Sequence, residues 1–435
     1  MNRQVERWIH EWQAASDEPV CAYVYDLAGI RRHAASLLPG LPRQGKLFYA
    51  IKANPDKRII EALLPVVAGF EVASIGELRR VREVSAQVPI LFGGPGKKDT
   101  ELEAAVELGV AYIHVESLLE LRKLIAITAR LEQPVKVLLR VNLSSGQLPQ
   151  TKIVMGGRPT PFGLDESYLE EAMEILGASG NEYVRCHGFH FHSLSNNVNA
   201  ELHADMVDLY LAKAEEWRAR GLDVRVINAG GGFGVTYDGS PGFDWARFSA
   251  LMKERGVEAR LGDTELFFEP GRFIVADYGY YAVEVVDIKQ SHGQHFAVVR
   301  GGTHHNRLPA SWGHDHPFHI VDSDRWPYPF ARPSVTDGLV TIAGELCTPK
   351  DRLHTDAPVE RLQAGDVVVF VKSGAYCWTI SHHDFLGHPH PEFHYITEGN
   401  DYADIDDSCG GQQSAAADHE GSDGRAAVRA VFSAR

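Results

Sequence analysis

No stretch of this chain approaches the roughly 18 consecutive apolar residues that a membrane-spanning helix needs. Residues 1–11 carry charges of both signs and no apolar core, so they do not read as a secretory signal. Cysteine is scarce, with five in 435 residues: Cys21, Cys186, Cys347, Cys377 and Cys409. An odd, scattered set excludes a dense disulfide framework and predicts reduced thiols in a cytoplasmic protein. Basic residues are in deficit, 43 Lys and Arg against 58 Asp and Glu, for a formal charge of −15. A chain this acidic lacks the electrostatic footprint of a non-specific nucleic-acid binder. No segment repeats at a period of roughly 20–50 residues, which excludes solenoids and propellers.

What is present is length and apolar content. The 435 residues suffice for two or three domains, and 44% hydrophobic residues suffice for sizeable cores. Eight short β-rich runs alternate with helix-like stretches, at 47–54, 69–74, 89–94, 112–117, 135–143, 184–193, 224–232 and 265–271. Most are continuous apolar runs, as strands buried on both faces should be. The alternation predicts a parallel sheet closed into a (β/α)8 barrel over 36–275. After Arg272 the pattern changes. Runs at 280–289, 295–300, 339–343 and 366–372 are separated by Gly, Pro, Asp and His clusters, which predicts an antiparallel β domain over 276–401. An early run at 21–25 can join that sheet, so residues 1–35 are assigned to it and the second domain is discontinuous. Residues 402–435, rich in Asp, Ser, Gly, Gln and Ala, read as a disordered tail.

Several polar clusters fall at the C-terminal ends of expected barrel strands, the catalytic face of such barrels. Lys52 ends the first, in Phe48-Tyr49-Ala50-Ile51-Lys52-Ala53-Asn54. A lysine in a barrel mouth is desolvated, which lowers its pKa and frees the amine to attack an aldehyde; the alternative is a lysine reaching to solvent. His190 and His192 share one face of the sixth strand. They suit a zinc pair that needs further ligands, or a flat ring stacked on a flat cofactor. Gly230-Gly231-Gly232 can present bare amides to a phosphate. The run is not a dinucleotide-binding fingerprint, because position 235 is Val. Glu269-Pro270-Gly271-Arg272 sets a carboxylate and a guanidinium at the same mouth. Arg suits a phosphate, and Glu suits a protonated ring nitrogen.

Together with Gly344-Glu345-Leu346-Cys347 and Gly374-Ala375-Tyr376, these motifs form an ordered set across residues 19–396. The set resembles the fold-type III pyridoxal phosphate decarboxylases, the diaminopimelate and ornithine decarboxylase family. The resemblance implies a barrel of alanine-racemase type and pyridoxal 5'-phosphate held on Lys52, with His192 stacked on the ring. It implies that Ser195, Gly231, Gly232, Arg272 and Tyr376 hold the phosphate, with Gly271 beside them, and that Glu269 pairs with the pyridine nitrogen. It further implies a homodimer in which Cys347 comes from the partner subunit as proton donor, with Asp351 beside a small-molecule substrate. No metal is implied.

The match departs from the usual family pattern after Cys347. Common members carry there an acid that binds a distal amine; here the residue is Thr348, and Lys350 follows. The segments 301–309 and 382–391 gather histidines and Arg307. These departures resemble the siderophore-biosynthesis branch, which decarboxylates citryl-amino acids such as citryl-diaminopropionate or citryl-serine. Arg307, His304 and His305 are then expected to bind the acidic end, with Thr348 beside it. The competing readings are a diaminopimelate decarboxylase, a racemase of related fold, a non-catalytic regulatory binder and a histidine-based metal hydrolase.

Overall fold

The computed structural model describes residues 2–144, 157 and 159–397. The tail expected at 402–435 lies outside the described residues. Two sheets organise the chain.

The first sheet is built from β2 (Gly45–Ala50), β3 (Gly69–Val72), β4 (Ile90–Phe92), β5 (Tyr112–Val115), β6 (Val135–Asn142), β8 (Val184–His190), β9 (Val226–Asn228) and β10 (Glu265–Phe268). These are the eight runs read from the sequence. Every pairing among them is parallel, and β5–β6 together with β10–β2 close the ring. A two-residue strand, β7 (Leu164–Asp165), adds to the edge of β6. Strands such as Gly-Phe-Glu-Val and Ile-Leu-Phe are buried along their whole length, because helices cover the outside and side chains fill the inside. Phe48, Leu91, Leu138, Val226 and Phe267 form a separate apolar cluster of strand residues. That plug makes the barrel a packed core, so chemistry is confined to the C-terminal mouth.

The second sheet contains β1 (Cys21–Asp26), β11 (Gly279–Ser291), β12 (Gln294–Val299), β13 (Phe318–Val321), β14 (Ser334–Ala343), β15 (Arg352–Gln363), β16 (Val367–Phe370) and β17 (Glu392–Ile396). β1 pairs with β11 and with β17, far away in sequence. The helix Arg3–Ala15 is capped by Asn2 and packs Val5, Trp8 and Ile9 onto the same sheet. The sheet is mostly antiparallel, as expected, with β1–β17 and β12–β14 as parallel pairs. β13, β15 and β17 were not read from the sequence. β15 buries Leu353, Ala357, Val359 and Leu362 while turning charges and Pro358 outward, so it lacks a continuous apolar run.

Candidate active site

β2 ends in a single tight turn, Ile51–Ala53. The turn is pinned from both sides: Tyr49 Oη donates to Asn54 O (2.9 Å), and Tyr376 N donates to Ala53 O (2.9 Å). Lys52 Nζ therefore projects from a fixed backbone and meets Glu71 Oε2 at 2.6 Å. Burial works against the ammonium, but the Glu71 carboxylate, with Tyr376 and Glu269 behind it, outweighs burial and raises the Lys52 pKa. This corrects the expectation that desolvation alone frees the amine: Glu71 holds it charged. Burial raises the Glu71 carboxyl in turn, against the pull of Lys52.

Across a cavity of about 270 Å³, lined by Lys52, Glu71, His190, His192 and Glu269, stands a buried polar layer. Asn228 Nδ2 donates to Glu269 Oε1 at 2.6 Å, and His190 Nε2 lies 3.3 Å from Glu269 Oε2. His114 stacks on His190 with ring centroids 4.0 Å apart and 24° between planes. Burial, and then neighbouring cationic groups, push His190 and His192 well below the usual imidazole range, so both rings are neutral. His192 Nδ1 accepts from Gly231 N at 3.1 Å, which fixes that ring at the glycine run.

Only glycine fits that run. A Cβ on Gly231 would fall 2.4 Å from Glu269 O, and Gly232, at φ +92°, would place one 2.5 Å from Leu194 O. At the other end of the site Arg272 is buried and donates from Nη1 to Tyr237 Oη at 2.9 Å. Its guanidinium lies over the rings of Trp312 (4.1 Å) and Tyr376 (4.5 Å).

These residues fit pyridoxal phosphate on two observations. The Nδ1 atoms of His190 and His114 are buried without hydrogen-bond partners, a polar layer that a ligand ring can complete. A guanidinium and a close-packed glycine run flank the layer, as a phosphate requires. Metal chemistry fits less well. His114, His190 and Glu269 bring ligand-type atoms within 4.8 Å of one another. Stacked imidazoles, however, run their in-plane lone pairs side by side, whereas a zinc ion needs them to converge. The His190–His192 pair, with centroids 6.2 Å apart, has His192 Nδ1 already engaged by Gly231.

The barrel thus brings together Lys52, His192, Gly231, Gly232, Glu269, Gly271, Arg272 and Tyr376. Ser195 lies exposed on the loop after β8. His304 and His305 are fully buried in the β domain. His305 Nδ1 faces the Tyr281 hydroxyl at 3.1 Å and Cys21 Sγ at 3.5 Å, and burial pushes its pKa down to about 2. His304 Nε2 lies 3.6 Å from Glu345. The pair belongs to the packing of the second sheet and not to a substrate pocket. Asp351, expected beside the substrate, spends its oxygens on Thr303 N and Oγ1 (both 2.7 Å) and on Leu346 N (2.9 Å). It ties down the loop that carries Cys347, which is exposed, and Thr348, which is half-buried. Neither lines the barrel cavity. Arg307 is exposed, bonds Ser311 Oγ (3.1 Å) and approaches His382 Nδ1 (3.3 Å).

Sequence reading missed Glu71, His114, Arg140 and Asn228. Each interrupts an otherwise apolar barrel strand, which was the available signal. Arg140 pairs with Glu116 at 2.9 Å, and Glu116 also accepts from Gly94 N and Gly163 N, gathering three loops at the mouth.

The family model described as pyridoxal-dependent decarboxylase, pyridoxal binding domain, matches residues 27–276. A Staphylococcus aureus 2-[(L-alanin-3-ylcarbamoyl)methyl]-2-hydroxybutanedioate decarboxylase is 45% identical over 90% of this chain and 97% of its own. An L-glutamyl-[BtrI acyl-carrier protein] decarboxylase from Niallia circulans is 32% identical over 85% of this chain and 87% of its own. Among solved structures, Helicobacter pylori diaminopimelate decarboxylase complexed with L-lysine superposes with a TM-score of 0.76, at 24% identity, over 89% of this chain and 94% of that one.

Proposed function

The chain belongs to the pyridoxal-dependent decarboxylases, and from that premise we propose that it decarboxylates an L-amino-acid moiety bearing an acidic acyl group, a citryl-amino acid of the siderophore-precursor type. The observation that carries this reading is the 45% identity to the S. aureus enzyme over nearly all of both chains. That enzyme's name describes an L-alanine side chain joined through an amide to a hydroxylated dicarboxylate. Thr348 agrees with it, since an uncharged residue after Cys347 offers a distal ammonium no partner.

Lys52, His192, Glu269, Arg272, Tyr376 and the glycine run would hold pyridoxal phosphate, which supplies an electron sink for the pair released as carbon dioxide leaves. Glu71 Oε2 holds the Lys52 Nζ ammonium in place, and Lys52 must lose that proton before it can act as a nucleophile. Neutral His192 offers a flat face that carries no charge into the site. Glu269, held by Asn228, would pair with the cofactor's ring nitrogen. Cys347 is exposed on a loop outside its own barrel cavity, which suits donation of a proton in the mouth of a second subunit of a homodimer.

Carbon dioxide release from citryl-diaminopropionate, citryl-serine and meso-diaminopimelate tests the substrate. A citryl-amino acid is expected to give the highest kcat/KM. Preferred turnover of diaminopimelate to lysine would refute the assignment.

A further inference from the structure

Trp312 ends a short helix, Leu308–Trp312, in the connection between β12 and β13 of the second domain. Its side chain is 47% exposed, an uncommon position for the largest apolar residue. What it touches is the barrel's own Arg272, whose guanidinium carbon lies 4.1 Å from the indole centroid. Tyr376 stacks on the same guanidinium at 4.5 Å. Two residues further along the same connection, His314 stacks on Tyr237 at 4.6 Å and 21°. Tyr237 is the hydrogen-bond acceptor of Arg272 Nη1. One connecting segment therefore covers both the arginine and its partner. The segment is itself anchored: Arg307 N donates to Ser381 Oγ (2.9 Å), and Gly313 N and His314 N both donate to Pro309 O. Gly313 ends the helix in the left-handed region, at φ +65°.

We propose that Trp312 is a positioning residue for cofactor phosphate: it clamps the Arg272 guanidinium plane against Tyr376 and thereby sets how tightly the barrel retains pyridoxal phosphate. The physical basis is the cation–π attraction together with the loss of rotamer freedom at Arg272. A guanidinium held in one plane, with one nitrogen engaged by Tyr237, presents its remaining N–H groups in a fixed fork to an anion. The β domain thus contributes to cofactor retention through a side chain with no direct role at the reacting atoms. The inference rests on Arg272 being the phosphate-binding residue, and the experiment separates the two.

Apoenzyme is titrated with pyridoxal phosphate and with pyridoxal, which lacks the phosphate, following the visible absorbance of the lysine-bound aldehyde. Wild type, Arg272→Gln, Trp312→Leu and Trp312→Phe are compared. Trp312→Leu is expected to weaken pyridoxal phosphate binding about ten-fold while leaving pyridoxal within about two-fold, and Trp312→Phe to restore most of the loss. Equal weakening of both aldehydes in Trp312→Leu would mean a general packing role and overturn the inference. So would an unchanged preference for pyridoxal phosphate in Trp312→Leu alongside a lost preference in Arg272→Gln. If Arg272→Gln keeps the full preference, the phosphate reading of Arg272 falls and the inference falls with it.

Discussion

Replacing Glu71 by Gln keeps the shape of the side chain and removes the charge that holds Lys52 as an ammonium. The contact is a charge-assisted hydrogen bond of 2.6 Å to a carboxylate that is 6% exposed. Such bonds contribute about 1.5–3 kcal/mol. The lysine side chain is 37% exposed, so solvent screens part of that attraction. We therefore use the low end, about 1.5 kcal/mol, which corresponds to a change of about one unit in the Lys52 pKa. The sign follows directly. Removing an anion favours the neutral amine, so Lys52 loses its proton at lower pH, while Tyr376 and Glu269 still favour the charge. The assay is the rate at which apoenzyme captures pyridoxal phosphate, followed by absorbance across a pH series, with Lys52→Ala as the variant that captures none. The pH at half-maximal rate is expected to fall by about one unit in Glu71→Gln. An identical pH profile, or a shift to higher pH, would refute the view that Glu71 controls the protonation of Lys52.

His203 is packed among Phe233, Phe243 and Phe248, and burial pushes its pKa down to about 3. The unfolded chain binds a proton there below about pH 6.5 and the folded chain does not, so stability falls as pH drops from about 6.5 towards 3, by about 1.4 kcal/mol per pH unit for this one ring. His203→Phe is expected to flatten the acid dependence of the urea midpoint by that amount; an unchanged slope would contradict it. Arg307→Gln is expected to raise KM for a citryl-amino acid several-fold with kcat nearly unchanged, because Arg307 is exposed and outside the barrel cavity, so it can add only uniform binding. A loss confined to kcat would place Arg307 at the reacting atoms instead.

The barrel was legible because strands buried on both faces are largely apolar, as the runs around Leu47 and Ile90 are. The mouth was legible at Lys52, Gly231 and Glu269 because each stands directly after such a run. His304 and His305 were misplaced for a physical reason. A sequence shows that two imidazoles are donors, but not that the turn after β12 aims both inward towards Tyr281 and Glu345. Asp351 was misplaced in the same way, because a carboxylate that caps loop amides and one that meets a substrate look alike in sequence. Glu71 was passed over inside Gly-Phe-Glu-Val, although a charge within a strand buried on both faces must have a partner. That partner, Lys52, was already in view.

The charges that remain at the mouth bear on what the barrel can discriminate. Lys52 is paired with Glu71, Arg140 with Glu116, and Lys97 with Glu120. Arg272 is enclosed by Tyr237, Tyr376 and Trp312. The three paired cations are therefore already committed, and breaking a buried pair to bind a distal carboxylate costs about 3–5 kcal/mol. Thr348 and Arg307 stand on loops of the second domain, tied down by Asp351 and by Ser381. That is where this chain departs from the family pattern: an uncharged Thr348 after the cysteine, on a loop whose backbone anchors hold it in place.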